Sequence, residues 1–200
     1  MEYLLYLGIG FLVGLTGAVA PGPMLIATIE GSLKEGLSAG PKAVLGHGTI
    51  EIGIFVLIVF GLYTLVDRWI HVVGIIGGTI MIIFGFTMLK KTYVENKTTF
   101  GNMVIAGALT SALNPYFWIW WLTAGFAMLS LGLPSLYGAT ILMVGHLVAD
   151  FGWYGGISLM VAKTRRFLRY DIYTLVLRGC GAFLIIFGLW FVFGNLGGFV

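Results

Sequence analysis

Gly46-His47-Gly48-Thr49-Ile50-Glu51-Ile52-Gly53 sets an imidazole and a carboxylate four residues apart inside the apolar run 43–66, which has no other acidic, basic or histidine residue. Four apart on a helix is one face. The pattern Gly-His-x-x-x-acid-x-Gly returns at Gly145-His146-Leu147-Val148-Ala149-Asp150-Phe151-Gly152, an offset of 99 residues (145 − 46). Thr16-Gly17-Ala18-Val19-Ala20-Pro21 likewise returns as Thr110-Ser111-Ala112-Leu113-Asn114-Pro115, an offset of 94 (110 − 16). Two patterns repeated in the same order, each within an apolar run, mark an internal repeat.

The solvent of those runs is lipid. Of 200 residues 59% are hydrophobic and 10% charged, with mean hydropathy +1.01, whereas soluble domains carry about 25% charge. A span of the hydrocarbon core takes about 20 apolar residues. The runs divide into six spans, roughly 3–27, 43–66, 70–89, 102–131, 135–161 and 172–194. Glu30 to Lys42, Lys90 to Phe100 and Lys163 to Asp171 read as charged loops, and Asp67-Arg68 and Gly132-Leu133-Pro134 as tight turns. The first span starts without a positive flank and outruns a signal core, so it reads as a retained helix. The expected architecture is one all-α integral membrane domain over 1–200, with repeat one at about 1–90, repeat two at about 101–200 and a cytoplasmic loop 90–100 between them.

Basic residues orient it. Lys34, Lys42, Lys90, Lys91, Lys97, Lys163, Arg165, Arg166, Arg169 and Arg178 fall on one side and only Arg68 on the other. Lys and Arg are retained on the cytoplasmic side, which puts both termini outside. The same bias accounts for the net charge of +3 without a nucleic-acid partner. Since each repeat holds three spans, the second enters from the opposite side, the inverted arrangement of secondary transporters.

Two spans are interrupted. Pro21-Gly22-Pro23 removes helical N–H donors from the first. Asn114 can cap a new helical start in the fourth, with Pro115 in its first turn. Half-helix ends offer N–H groups to a carboxylate and carbonyls to an ammonium, so Pro21, Gly22, Pro23, Asn114 and Pro115 are candidate substrate-binding positions. Trp118, among Tyr116, Phe117, Trp120 and Trp121, is a candidate wall for an apolar side chain or an ammonium.

His47, Glu51, His146 and Asp150 are nearly the only ionisable residues deep in the spans. A buried charge there costs about 2.5–3.5 kcal/mol on insertion scales, and a proton relay gives a reason to keep several. Two imidazoles and two carboxylates also suit zinc or manganese, and spacing alone does not separate proton from metal. The lone Cys180 excludes a disulfide framework and a thiolate cluster. No nucleophile or cofactor motif suggests an enzyme, and no cofactor is expected.

Ala20-Pro21-Gly22-Pro23-Met24, followed by Gly36, Gly40 and Gly46 and by Asn114-Pro115, resembles the LysE/RhtB amino-acid exporter family over nearly the whole chain, in a less characterised branch. The resemblance implies proton-driven efflux of amino acids or close relatives across the cytoplasmic membrane by a multi-pass protein. It also implies a role for Pro21, Gly22 and Pro23. Tyr116 stands where many members have lysine, and many lack a histidine at the place of His47. The wider superfamily includes divalent-cation exporters, so both readings of the four side chains stay open. Protonation of the His-acid pairs is expected to drive rocking of one half against the other.

Overall fold

A computed structural model describes residues 2–61, 70–90, 101–133, 135–164 and 170–196, and every regular element among them is helical. Helix α1 covers Glu2–Ala18, α2 Pro23–Glu35, α3 Ala39–Val59, α4 Ile70–Lys90, α5 Met103–Ala112, α6 Pro115–Trp120, α7 Phe126–Ser130, α8 Leu136–Thr164 and α9 Tyr170–Leu196. A 3-10 turn, Gly36–Ser38, joins α2 to α3, and a π turn, Trp121–Gly125, joins α6 to α7. Two stretches, Pro23–Val59 and Leu136–Thr164, are long and apolar enough by length and composition to cross a membrane.

The first span is interrupted at its prolines as expected, α1 stopping at Ala18 and α2 starting at Pro23. The fourth is interrupted before Pro115 as expected, and the π turn divides it once more. One expectation needs correction: the supposed charged loop from Glu30 to Lys42 is helical except at its corner. There Gly36 adopts φ 71°, which a side chain would strain, and Glu35 pairs with Lys42 across the bend at 2.6 Å. Charge marked helix ends there, not a loop. The Asp67-Arg68 turn, Pro134 and most of the other two charged loops lie outside the described residues.

Burial is inverted relative to a protein in water. Leu4 is 75% exposed and Leu175 70%, whereas Glu51 and Asp150 are 1% exposed and His146 2%. Lipid tolerates the first, and only polar company inside the bundle tolerates the second.

Helices touch backbone to backbone at glycines. In the contact of α1 with α8, a Cβ on Gly10 would overlap the Leu142 carbonyl and one on Gly145 the Leu7 carbonyl. In the contact of α3 with α5, Gly107 meets the Ala43 carbonyl and Gly46 the Val104 carbonyl in the same way. Between α4 and α9, Gly78 faces Gly188 and Gly85 faces Gly181. Small residues permit the close approach that holds helices together where no hydrophobic effect drives them. Each of these contacts joins a helix from before residue 91 to one from after residue 100.

Candidate functional site

At the first break the chain turns through Ala20, whose N–H donates to the Gly17 carbonyl at 3.3 Å. Gly22 is extended, with no side chain to cap α2, and Pro23 occupies its first turn. At the second break Asn114 Oδ1 accepts from the Tyr116 N–H at 3.1 Å with Pro115 in the first turn of α6, the expected cap. The two breaks face each other, Asn114 Nδ2 lying 3.5 Å from where a Cβ on Gly22 would stand.

Between them both imidazoles converge on a single carboxylate oxygen of Glu51, with Asp150 beside them. Glu51 Oε1 lies 2.9 Å from His47 Nε2 and 2.7 Å from His146 Nε2, and Trp121 Nε1 donates to it at 3.3 Å. One oxygen can hold one proton at most between two ring nitrogens, so at least one imidazole N–H donates to it. Asp150 Oδ2 stands 3.3 Å from His146 Nε2 and 3.9 Å from His47 Nε2. Trp120 stacks on the His146 ring at 5.0 Å, and Phe117 meets the His47 ring edge-on at 5.3 Å.

The two histidines differ behind the ring. His47 Nδ1 lies 2.6 Å from Ser111 Oγ, which also reaches the Gly107 carbonyl at 2.7 Å. His146 Nδ1 has no hydrogen-bond partner and faces Gly14, where a Cβ would come within 2.7 Å of it. Glu51 Oε2 and Asp150 Oδ2 are also buried without a hydrogen-bond partner.

A cavity of about 40 Å³ joins these parts. It is bordered by all four ionisable side chains, by Ala20, Gly22 and Asn114 from the breaks, and by aromatic rings. At about 10–15 Å³ per water it holds some three waters, so an amino acid enters only after the walls move. Of the expected substrate positions, Gly22 and Asn114 border the cavity, while Pro21, Pro23 and Trp118 do not. Trp118 points elsewhere, its indole N–H donating at 2.7 Å to the Ala112 carbonyl at the end of α5. Phe117, Trp120 and Trp121 supply the aromatic wall together with Tyr116 and Tyr154. Their i, i+3, i+4 spacing would have separated them from Trp118. Ser111 and Gly14 carry no signal of a site in the sequence, because neither is ionisable and their partners come from distant helices.

A metal ion fits this arrangement poorly. His47, Glu51 and Asp150 bring one ligand atom each within 4.8 Å of one another, but both Nε2 atoms are engaged with Glu51 Oε1. Coordination would first require the imidazole–carboxylate contacts to break.

Exposed leucines outside and a cavity bordered by buried ionisable side chains between broken helices inside define an all-α membrane protein. The family model described as LysE type translocator matches residues 15–195, and the chain belongs to that family. It is therefore a membrane transporter and not an enzyme, and cation transport gains no support from the match. No curated protein and no solved structure matches the chain.

Proposed function

We propose that the protein is a secondary active exporter of amino acids or related small amines, coupled to protons, in the cytoplasmic membrane. One observation carries the reading. His47 and His146, from separate parts of the chain, meet at Glu51 Oε1 with Asp150 against His146, in the same cavity as both helix breaks. Proton and substrate therefore act at one place, which coupling requires. The breaks hold the backbone-like part of the substrate through Gly22 and Asn114, and His47, Glu51, His146 and Asp150 carry the proton.

The proposal includes six spans in two inverted repeats, about 1–90 and 101–200, with both termini outside as the basic residues favour. The glycine contacts support the repeat. Gly10 on Leu142 corresponds to Gly107 on Ala43, and Leu7 on Gly145 to Val104 on Gly46. The offsets are 97 (107 − 10, 104 − 7) and 99 (142 − 43, 145 − 46). The first differs by three residues, about one helical turn, from the offset of 94 in the Thr-x-Ala-x-x-Pro match. His47 on Ser111 and His146 on Gly14 obey the same two offsets.

Purified protein in proteoliposomes with an imposed pH gradient tests the reading. Amino-acid efflux against its gradient is expected, with substrate-evoked proton flux, and Glu51→Gln or Asp150→Asn is expected to abolish both. Uphill transport that survives in both variants overturns the relay.

A further inference from the structure

Two carboxylate oxygens in the chamber are acceptors without donors. Glu51 Oε2 and Asp150 Oδ2 are buried in side chains 1% exposed and receive no hydrogen bond. His146 Nε2, the ring nitrogen nearest Asp150 Oδ2 at 3.3 Å, lies closer to Glu51 Oε1, at 2.7 Å. A buried unsatisfied carboxylate oxygen is costly, so these two oxygens have room for a further donor. Among the described residues no lysine or arginine borders the cavity.

We propose that the floor of this cavity is an ammonium subsite, in which the –NH3+ group of the exported amine donates to Glu51 and Asp150. The proposal rests on the export reading and goes beyond it by making substrate and proton alternative occupants of the same two acids. An oxygen of Glu51 and one of Asp150 lie within 4.8 Å of each other. Charge-assisted N–H···O contacts of about 2.7–2.9 Å allow one nitrogen to bridge that gap. The rings of Phe117, Trp120 and Trp121 border the same space and favour a cation at their faces. A cavity of about 40 Å³ already admits a group as small as –NH3+, and the rest of the molecule requires the walls to part.

Charge balances in the exchange. One ammonium enters as one proton leaves, and the chamber keeps the same net charge. The groups facing these acids are His47 on α3 and His146 and Tyr154 on α8, with Tyr116 on α6 and Ser111 on α5 at the margin. The floor thus recognises the amine alone, and the carboxylate of an amino acid is left to the helix breaks. The subsite therefore takes primary amines as a class, with or without a carboxylate.

Binding to the purified full chain tests this by calorimetry across a pH series. The probes are leucine, isoamylamine and N-acetyl-leucine, and lysine, cadaverine and diacetyl-lysine. Within at least one series the amino acid and its decarboxylated amine are expected to bind, and the acetylated acid is not. The Kd of the binding amine is expected to rise about tenfold per pH unit on the acid side, the signature of one proton displaced per ligand. Glu51→Gln and Asp150→Asn are expected to weaken amine binding at least tenfold. The pH slope of the unmodified protein serves if those variants fail to fold. Acetylated acids that bind as well as their parents, or an affinity flat with pH, overturn the subsite while export with proton flux still stands. Absence of binding and transport by every amine and amino acid overturns both.

Discussion

Glu51 Oε1 is the point on which the chamber is organised, and its two imidazole neighbours are held in place differently. Ser111 stands behind His47 and Gly14 behind His146, so the first ring can keep hydrogen bonds at both nitrogens while the second cannot. Ser111→Ala orphans His47 Nδ1, and a buried polar atom left without a partner costs about 1–3 kcal/mol. Gly14→Ala drives a methyl group into His146 Nδ1 and the backbone behind it, an overpacking cost of about 1–3 kcal/mol. Both variants are expected to lower the thermal unfolding midpoint in detergent, and Ser111→Thr, which keeps the hydroxyl, less so. Gly14→Ala at the parental midpoint would show that the His146 ring is not tightly held. The histidines and acids were legible because ionisable residues in an apolar run have few reasons to exist. Their serine and glycine supports were not, because small neutral residues are common in membrane helices and reveal their partners only in three dimensions.

Among the elements, the breaks were legible and the continuities were not. Proline forbids helical hydrogen bonding whatever its surroundings, so interruptions at Pro21 to Pro23 and at Pro115 follow from covalent structure. Charge is a weaker guide. Lys34 and Glu35 close α2 and Lys42 opens α3, where helix ends accept charge as readily as loops do. The π turn at Trp121–Gly125 carries no local signal, since it answers to the packing of Trp120 and Trp121 around His146. Asn114 is the hinge point of the second break, and its side chain satisfies the Tyr116 N–H that would otherwise face the cavity margin. Asn114→Ala is expected to cost about 1 kcal/mol and to speed hydrogen exchange at residues 116–118 while leaving α8 unchanged. Asn114→Asp, which keeps the accepting oxygen, is expected to restore protection. Equal exchange in all three proteins would show that the cap contributes nothing.

The packing of the whole molecule constrains how the chamber opens. The contacts of α1 with α8, α3 with α5 and α4 with α9 each join the two halves through backbone-close glycines. Rocking one half against the other, the movement expected from the repeat, would therefore part all three interfaces at once. A smaller movement is available to α2, which is bounded by the break before Pro23 and by the Gly36 corner. Its last turn is fastened to α8 by hydroxyls, Ser32 Oγ lying 2.8 Å from Ser158 Oγ, which also accepts from the Gly40 N–H at 2.7 Å. Water or substrate reaching Ser32 and Ser158 would loosen that fastening while the three glycine interfaces stay closed. A disulfide made by Ser32→Cys with Ser158→Cys, in a Cys180→Ser background so that no third thiol competes, is expected to stop transport. Reduction is expected to restore it, with the unfolding midpoint higher in the oxidised form. Full transport by the oxidised protein would show that α2 stays on α8 throughout the cycle, and the opening would then have to come from α1 and α8 sliding as a pair past α3 and α5.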